Sequence, residues 1–272
     1  MSDQLPIDEM RPTGLPKRIM AEPVGPDEIA LWYIGGAGYV VRTAATTLLV
    51  DPFLGPSVPP DWVRGVPPPF AGSELADFGP LAAVVMSHEH LDHADPVALT
   101  LIAQETQALA IGPASAIAVA RENGFTADRL RALAIDGTMT VGDLTLTGAP
   151  AYDPTAQEAN TTIFQTGGVT WAHAGDSLWH TGLVAIGKRW SLDAISMTIG
   201  LNPPGETYYM SEGEAARSLR DCGARTLIHQ HHDLWVRLAI DPQRTATVAS
   251  WYAPDATVTP AIYGARIDVR KR

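Results

Sequence analysis

Eight histidines punctuate this 272-residue chain, and six of them fall in two tight groups. His88, His90 and His93 sit in the stretch His88-Glu89-His90-Leu91-Asp92-His93, and His229, His231 and His232 gather far downstream. Neutral imidazoles offer nitrogen lone pairs and carboxylates offer hard oxygens, a donor mixture that divalent ions accept. Cys222 is the single cysteine, so thiolate-rich sites and internal disulfides are excluded and the donors are nitrogen and oxygen. The chemistry open to such a site is hydrolytic, because a bound divalent ion lowers the pKa of water toward neutrality and polarises a carbonyl or phosphoryl oxygen.

The flanking pattern shows what must position these side chains. Leu81 to Met86 is a short continuous apolar run, the mark of a buried strand, and it delivers directly into Ser87-His88. Alternation at such a strand end puts His88 and His90 on one face within reach of one ion, while Asp92 and His93 turn with the loop toward a second position. Asp95-Pro96 is an N-cap followed by proline at the first helical position, predicting a helix over 96–105. Arg225 to His229 reads as a strand ending at the second histidine group, and Ser211-Glu212-Gly213-Glu214 as a capping box opening a helix to about Asp221. Upstream, Ile29–Ile34, Tyr39–Arg42 and Thr46–Val50 read as an antiparallel meander closed by Asp51-Pro52. Residues 1–28, with five prolines, read as an irregular arm, and the Pro- and Gly-rich residues 55–80 as a long loop. Strands, a βα stretch, strands and βα again give an α/β (α+β) sandwich, expected as one domain over 1–272.

Composition narrows the partners. With 46% apolar residues a sizeable core is available, and 19 basic against 30 acidic side chains give a net charge of −11, which disfavours nucleic acid. The acidic, proline-broken start does not read as a signal peptide, and no apolar stretch is long enough to span a bilayer. The expectation is a cytoplasmic protein acting on a small molecule, with no nucleic-acid or membrane partner and a homo-oligomer left open.

The HxHxDH string resembles the signature of the metallo-β-lactamase superfamily. Trp32 to Gly38, Leu49-Val50-Asp51-Pro52 and Gly175-Asp176-Ser177 resemble further superfamily stretches in order. His173-Ala174-Gly175-Asp176-Ser177, Asn202-Pro203 and His231-His232-Asp233-Leu234-Trp235 are similar to the L-ascorbate-6-phosphate lactonase-like branch. The resemblance implies an αββα sandwich with a dinuclear site holding two divalent ions, zinc or manganese. His88 and His90 would hold the first ion, Asp92 and His93 the second, with Asp176 bridging both and His231 completing the second. For the third ligand of the first ion the branch points to Asp153, although Asp153-Pro154 also suits a plain turn. His231 is preferred over His232 because Trp235 follows it at the spacing seen in related families, leaving His232 as proton donor or substrate contact. Asp51 either orients a ligand histidine or only makes an Asp-Pro turn. His173 reads as packed or as supporting a ligand from behind, with the branch resemblance keeping a ligand role open, His229 reads as packed, and Tyr208-Tyr209 as core or pocket wall.

The function implied is a metal-dependent hydrolase that opens a lactone or cleaves a small ester or amide, with Asp92 and Asp176 orienting the nucleophile and relaying its proton. Where the phosphate-handling branch carries arginines, this chain has Pro154 and Pro204, which argues against a phosphorylated substrate. A phosphodiesterase on the same site and a non-catalytic metal-binding regulator are the alternatives.

Overall fold

Seven short strands in each of two sheets account for most of the apolar runs in the chain. The structure is a computed structural model and describes residues 13–55, 57–59, 62–63, 68–236 and 238–271. The first sheet is built from β1 (Glu28–Gly35), β2 (Gly38–Arg42), β3 (Thr47–Val50), β4 (Ala83–Val85), β5 (Leu109–Gly112) and β6 (Leu130–Ala132). The second runs through β7 (Thr138–Val141), β8 (Leu144–Pro150), β9 (Asn160–Thr166), β10 (Val169–His173), β11 (Ala194–Thr198), β12 (Thr226–Gln230) and β13 (Thr257–Pro260). The last strand, β14 (Arg266–Arg270), crosses back to pair antiparallel with β1. In each sheet an antiparallel meander continues into parallel strands.

Three apolar layers explain this stacking. Between the sheets, Leu31, Tyr33 and Val85 of the first meet Leu146, Phe164 and Trp171 of the second. Outside the first sheet, α1 (Leu15–Ala21), α2 (Pro96–Glu105) and α3 (Ala114–Glu122) cover Trp32, Val40 and Val84. Outside the second, α4 (Gly182–Arg189), α5 (Glu212–Cys222) and α6 (Pro242–Tyr252) cover Ile163, Ile195 and Leu227. Strands buried on both faces are mostly apolar, and β1, β3 and β11 are buried at every position, with the polar Ser196 and Thr198 of β11 hydrogen-bonded to Trp171 and Asp176. The arrangement is the αββα sandwich expected from the resemblance.

Local chemistry sets the helix starts. Asp95 accepts from the Val97 amide ahead of α2, and Ser211 and Glu214 form the reciprocal capping box of α5. Two expectations need correction. The N-terminal arm is not irregular throughout, because Leu15 and Ile19 give α1 an apolar face that the outer core buries; residues 1–12 lie outside the described residues. The segment after residue 55 is not all loop either. Gly72–Phe78 forms a 3₁₀ helix, held by the Glu74 carboxylate accepting from the Thr13, Gly14 and Ala71 amides.

Candidate metal centre

The histidine-rich loop leaves β4 at Val85, so strand alternation does not place His88 and His90; a buried carboxylate anchors the loop instead. Asp51, at the end of the neighbouring β3, has φ +40° and is fully buried. It accepts from the Ser87 amide at 2.7 Å and the Ser87 hydroxyl at 2.6 Å, and from His93 Nδ1 and His173 Nε2, each at 2.9 Å. Burial would raise this carboxyl, but the His93 and His173 imidazoles hold it well below the usual range. Asp51 therefore fixes the ring of His93 with Nε2 free to face the site, which is the orienting role and not merely a turn. His173, 122 residues further along the chain, buttresses the same oxygen. Across the site, Gly175 has φ +55°, and a Cβ there would lie 2.7 Å from Ser87 Cβ. Only glycine lets the end of β10 pass this close to Ser87 and present Asp176.

Two sets of donors result. In the first, His88 Nε2 lies 2.9 Å from His90 Nδ1, with Asp153 Oδ2 at 3.5 Å and 3.6 Å from those two nitrogens. In the second, Asp92 Oδ2 lies 3.1 Å from His231 Nε2 and 3.6 Å from His93 Nε2, and Asp176 Oδ2 lies 3.3 Å from His93 Nε2. Within each set the candidate ligand atoms all fall within 4.8 Å of one another. The sets abut, since the His88 and His93 ring centroids are 4.0 Å apart. Asp153 satisfies both of its readings: Oδ1 accepts from the Thr155 amide and hydroxyl to make a turn, which leaves Oδ2 for the histidines. Asp176 groups with the second set and is steadied by the Thr198 hydroxyl, which donates to Oδ1 at 2.8 Å.

The donors fit divalent ions. Nε2 of His93 is buried, has no hydrogen-bond partner and is ringed by carboxylate oxygen, as a metal ligand requires. Burial alone would lower the His93 imidazole, yet Asp176, Asp92 and Asp51 hold it well above the ordinary range. Asp176 shows the reverse, since burial would raise it and His93 and His231 keep it low. His88, desolvated and beside His93, is pushed down to about 4 and stays neutral, the form that ligates. The carboxylates thus stabilise positive charge at this spot, and a dication supplies more of it than one imidazolium.

The downstream histidines part company. His231 sits in the left-handed region at φ +63°, enters the second set, and is flanked by the rings of Tyr209 at 5.2 Å and Trp235 at 6.4 Å. His232, expected as a proton donor or substrate contact, is placed differently from His231. Its ring lies parallel to Tyr33 at 6.4 Å and edge-on to His229 at 5.0 Å, outside the residues that line the cavity over the metal donors. His229 packs, with Nε2 against the Ile199 carbonyl. Sequence reasoning overlooked Glu89, whose carboxylate accepts from the Ser115 hydroxyl and from the Gln157 and Glu158 amides. It ties the histidine loop to the segment that carries Asp153; its place inside the HxHxDH string was the one available signal.

Above the donors opens a cavity of about 410 Å³. Its floor is His90, Asp92, Asp153, Thr155 and Asp176, and its walls are Trp62, Tyr208, Tyr209, Trp235 and Leu238.

The family model described as "Beta-lactamase superfamily domain" matches residues 46–232. A metal-dependent hydrolase of Pyrobaculum arsenaticum is 26% identical over 78% of this chain and 87% of its own. A probable L-ascorbate-6-phosphate lactonase of Escherichia fergusonii is 23% identical over 84% of this chain and 76% of its own. Among solved structures, a metallo hydrolase from Ignicoccus hospitalis superposes with a TM-score of 0.70 at 18% identity, covering 90% of this chain and 100% of that one.

Proposed function

We propose, from the premise that this chain belongs to the beta-lactamase superfamily and is a metal-dependent hydrolase, that it opens a lactone or cleaves a small ester or amide at a dinuclear site. The observation that carries this is the abutment of the His88–His90–Asp153 and Asp92–His93–Asp176–His231 sets beneath one cavity. Two Zn²⁺ or Mn²⁺ ions suit these nitrogen and oxygen donors. When bound, such ions supply Lewis acidity and bring the pKa of a site water toward neutrality.

The chain's own residues do the rest. Asp176, held by Thr198 and facing His93 and His231, would hold the ion of the second set, and its sharing with the first set is what the family resemblance implies. Asp92 and Asp176 reach the cavity floor, where their oxygens orient a water and take its proton. Asp51 keeps His93 in the tautomer that ligates through Nε2. Burial, then Asp176 and Asp92, push the Tyr209 phenol well above its ordinary range, so it stays protonated and can donate a hydrogen bond to charge developing on a substrate oxygen. The lactonase name of one relative favours a cyclic ester, while Pro154 and Pro204 argue against a phosphate group on it.

The test is a substrate panel on metal-reconstituted protein: neutral lactones, aryl esters, L-ascorbate 6-phosphate and an aryl phosphodiester, compared by kcat/KM. Neutral lactones or esters are expected to lead. A faster phosphodiester would replace carbonyl hydrolysis with phosphoryl chemistry, and a faster phosphorylated lactone would overturn the argument from the two prolines.

A further inference from the structure

Aromatic surface collects on one side of the metal-binding floor from three segments distant in sequence. Trp62 comes from the stretch after β3, Tyr208 and Tyr209 from the loop after β11, and Trp235 with Leu238 from the turn after β12. A single apolar run folding past the site would not produce this, since each ring arrives on its own backbone.

Each segment is also held in place. The Val236 amide donates to the Trp62 carbonyl at 3.0 Å, and Val63 bridges Trp235 in antiparallel fashion, so Trp62 is pinned to the turn that carries Trp235. Asn202 clamps the tyrosine pair: its Oδ1 accepts from the Tyr208 amide at 2.7 Å and the Tyr209 amide at 2.9 Å, and its Nδ2 donates to the Tyr209 carbonyl at 2.7 Å. Such clamps hold rings over a cavity in advance of any ligand, which lowers the entropic cost of binding.

The walls remain partly uncovered. Trp62 is 59% exposed, and Tyr208 is half-buried. Large aromatic faces left in water at the mouth of a cavity gain most when a ligand covers them, and flat rings gain further from offset or edge-to-face packing. Among the described residues that line the cavity the charged side chains are His90 and the three carboxylates of the floor, and the walls are aromatic and apolar.

Building on the hydrolase reading above, we propose that the substrate carries a flat, uncharged aromatic or comparably apolar group beside its scissile carbonyl, and that Trp62 and Tyr208 grip this group and set specificity. The carbonyl lies over the donors while the ring packs against the walls. A volume of about 410 Å³ accommodates one ring with a short linker.

The test reads binding, so that it survives a failure of the hydrolytic reading. Acetohydroxamate and phenylacetohydroxamate share a metal-chelating head and differ in the ring. Their affinities for metal-loaded protein, measured by calorimetry, are expected to differ by at least 10-fold in favour of the aryl probe. Trp62→Ala and Tyr208→Ala should each weaken the aryl probe, and together narrow that gap to less than 3-fold. Equal affinities in the wild type, or a gap that survives both substitutions, would overturn the proposal. A persistent gap in a protein that turns over no aryl ester would instead leave the aromatic grip standing and remove the carbonyl-hydrolysis reading.

Discussion

Asp176 and Asp51 do different work with the same functional group. Asp176 touches both His93 and His231 and meets the cavity, so Asp176→Asn keeps the shape, and the Thr198 hydroxyl can still donate to it, while the negative charge is lost. At least one metal should be held more weakly and kcat should fall on the order of 10²–10³, with the melting temperature of the metal-free protein nearly unchanged. Metal stoichiometry, melting temperature and kcat measured on that one variant separate this from a turn-capping role, which predicts the opposite pattern. Asp51 never reaches the cavity but accepts four hydrogen bonds that set the pose of Ser87, His93 and His173. Asp51→Asn should weaken metal affinity about 10–100-fold through misorientation of His93, read by competition with a chromogenic chelator; unchanged affinity would reduce Asp51 to a turn residue.

At the scale of elements, the loops that leave strand ends carry the donors, and their closeness depends on small backbone choices. Gly175→Ala introduces a Cβ 2.7 Å from Ser87 Cβ at a φ of +55°, so something must shift. The expected cost is about 1–3 kcal/mol in denaturant unfolding, together with weaker metal binding; full stability would mean the β10 end is not packed as described. On the far edge, β14 is joined to β1 by Glu28, which accepts from Arg266 and Arg270. Burial would raise this carboxyl, but the Gly25 amide, Arg270 and Arg266 hold it below its ordinary value. A carboxyl lowered in the folded state contributes stability above its unfolded pKa of roughly 4.3 and loses it as pH falls through the folded value. The stability difference between wild type and Glu28→Gln should therefore be present at pH 7 and shrink progressively as pH falls below about 4; a difference constant with pH would contradict the ion-pair account.

Across the whole molecule, the division of ligands between layers explains what could be read in advance. His88, His90, Asp92 and His93 lie within six residues, so their partnership shows in the chain itself. The preference for His231 over His232 came from Trp235 four residues on, whereas the left-handed turn that carries His231 into the second set is announced by no residue type. The link from His173 to Asp51 joins two sheets and leaves no local pattern. α1 was missed because prolines outnumber helix signals around it, and its apolar face makes sense only once the outer core is there to receive it. The same division ties metal to folding: the first sheet's loops bring the HxHxDH donors, while the second sheet's bring Asp153, Asp176 and His231. Ions bound between them stabilise the folded state by an amount that grows with the logarithm of their affinity, so chelation should lower the melting temperature and re-addition should restore it. The central claim is two adjoining metal sites with separate ligand sets, and elemental analysis of reconstituted wild type beside His90→Ala tests it most directly. The expected result is close to two ions per wild-type chain and one in His90→Ala, with the second set intact; a wild type that binds a single ion, or a His90→Ala variant that still binds two, would contradict it.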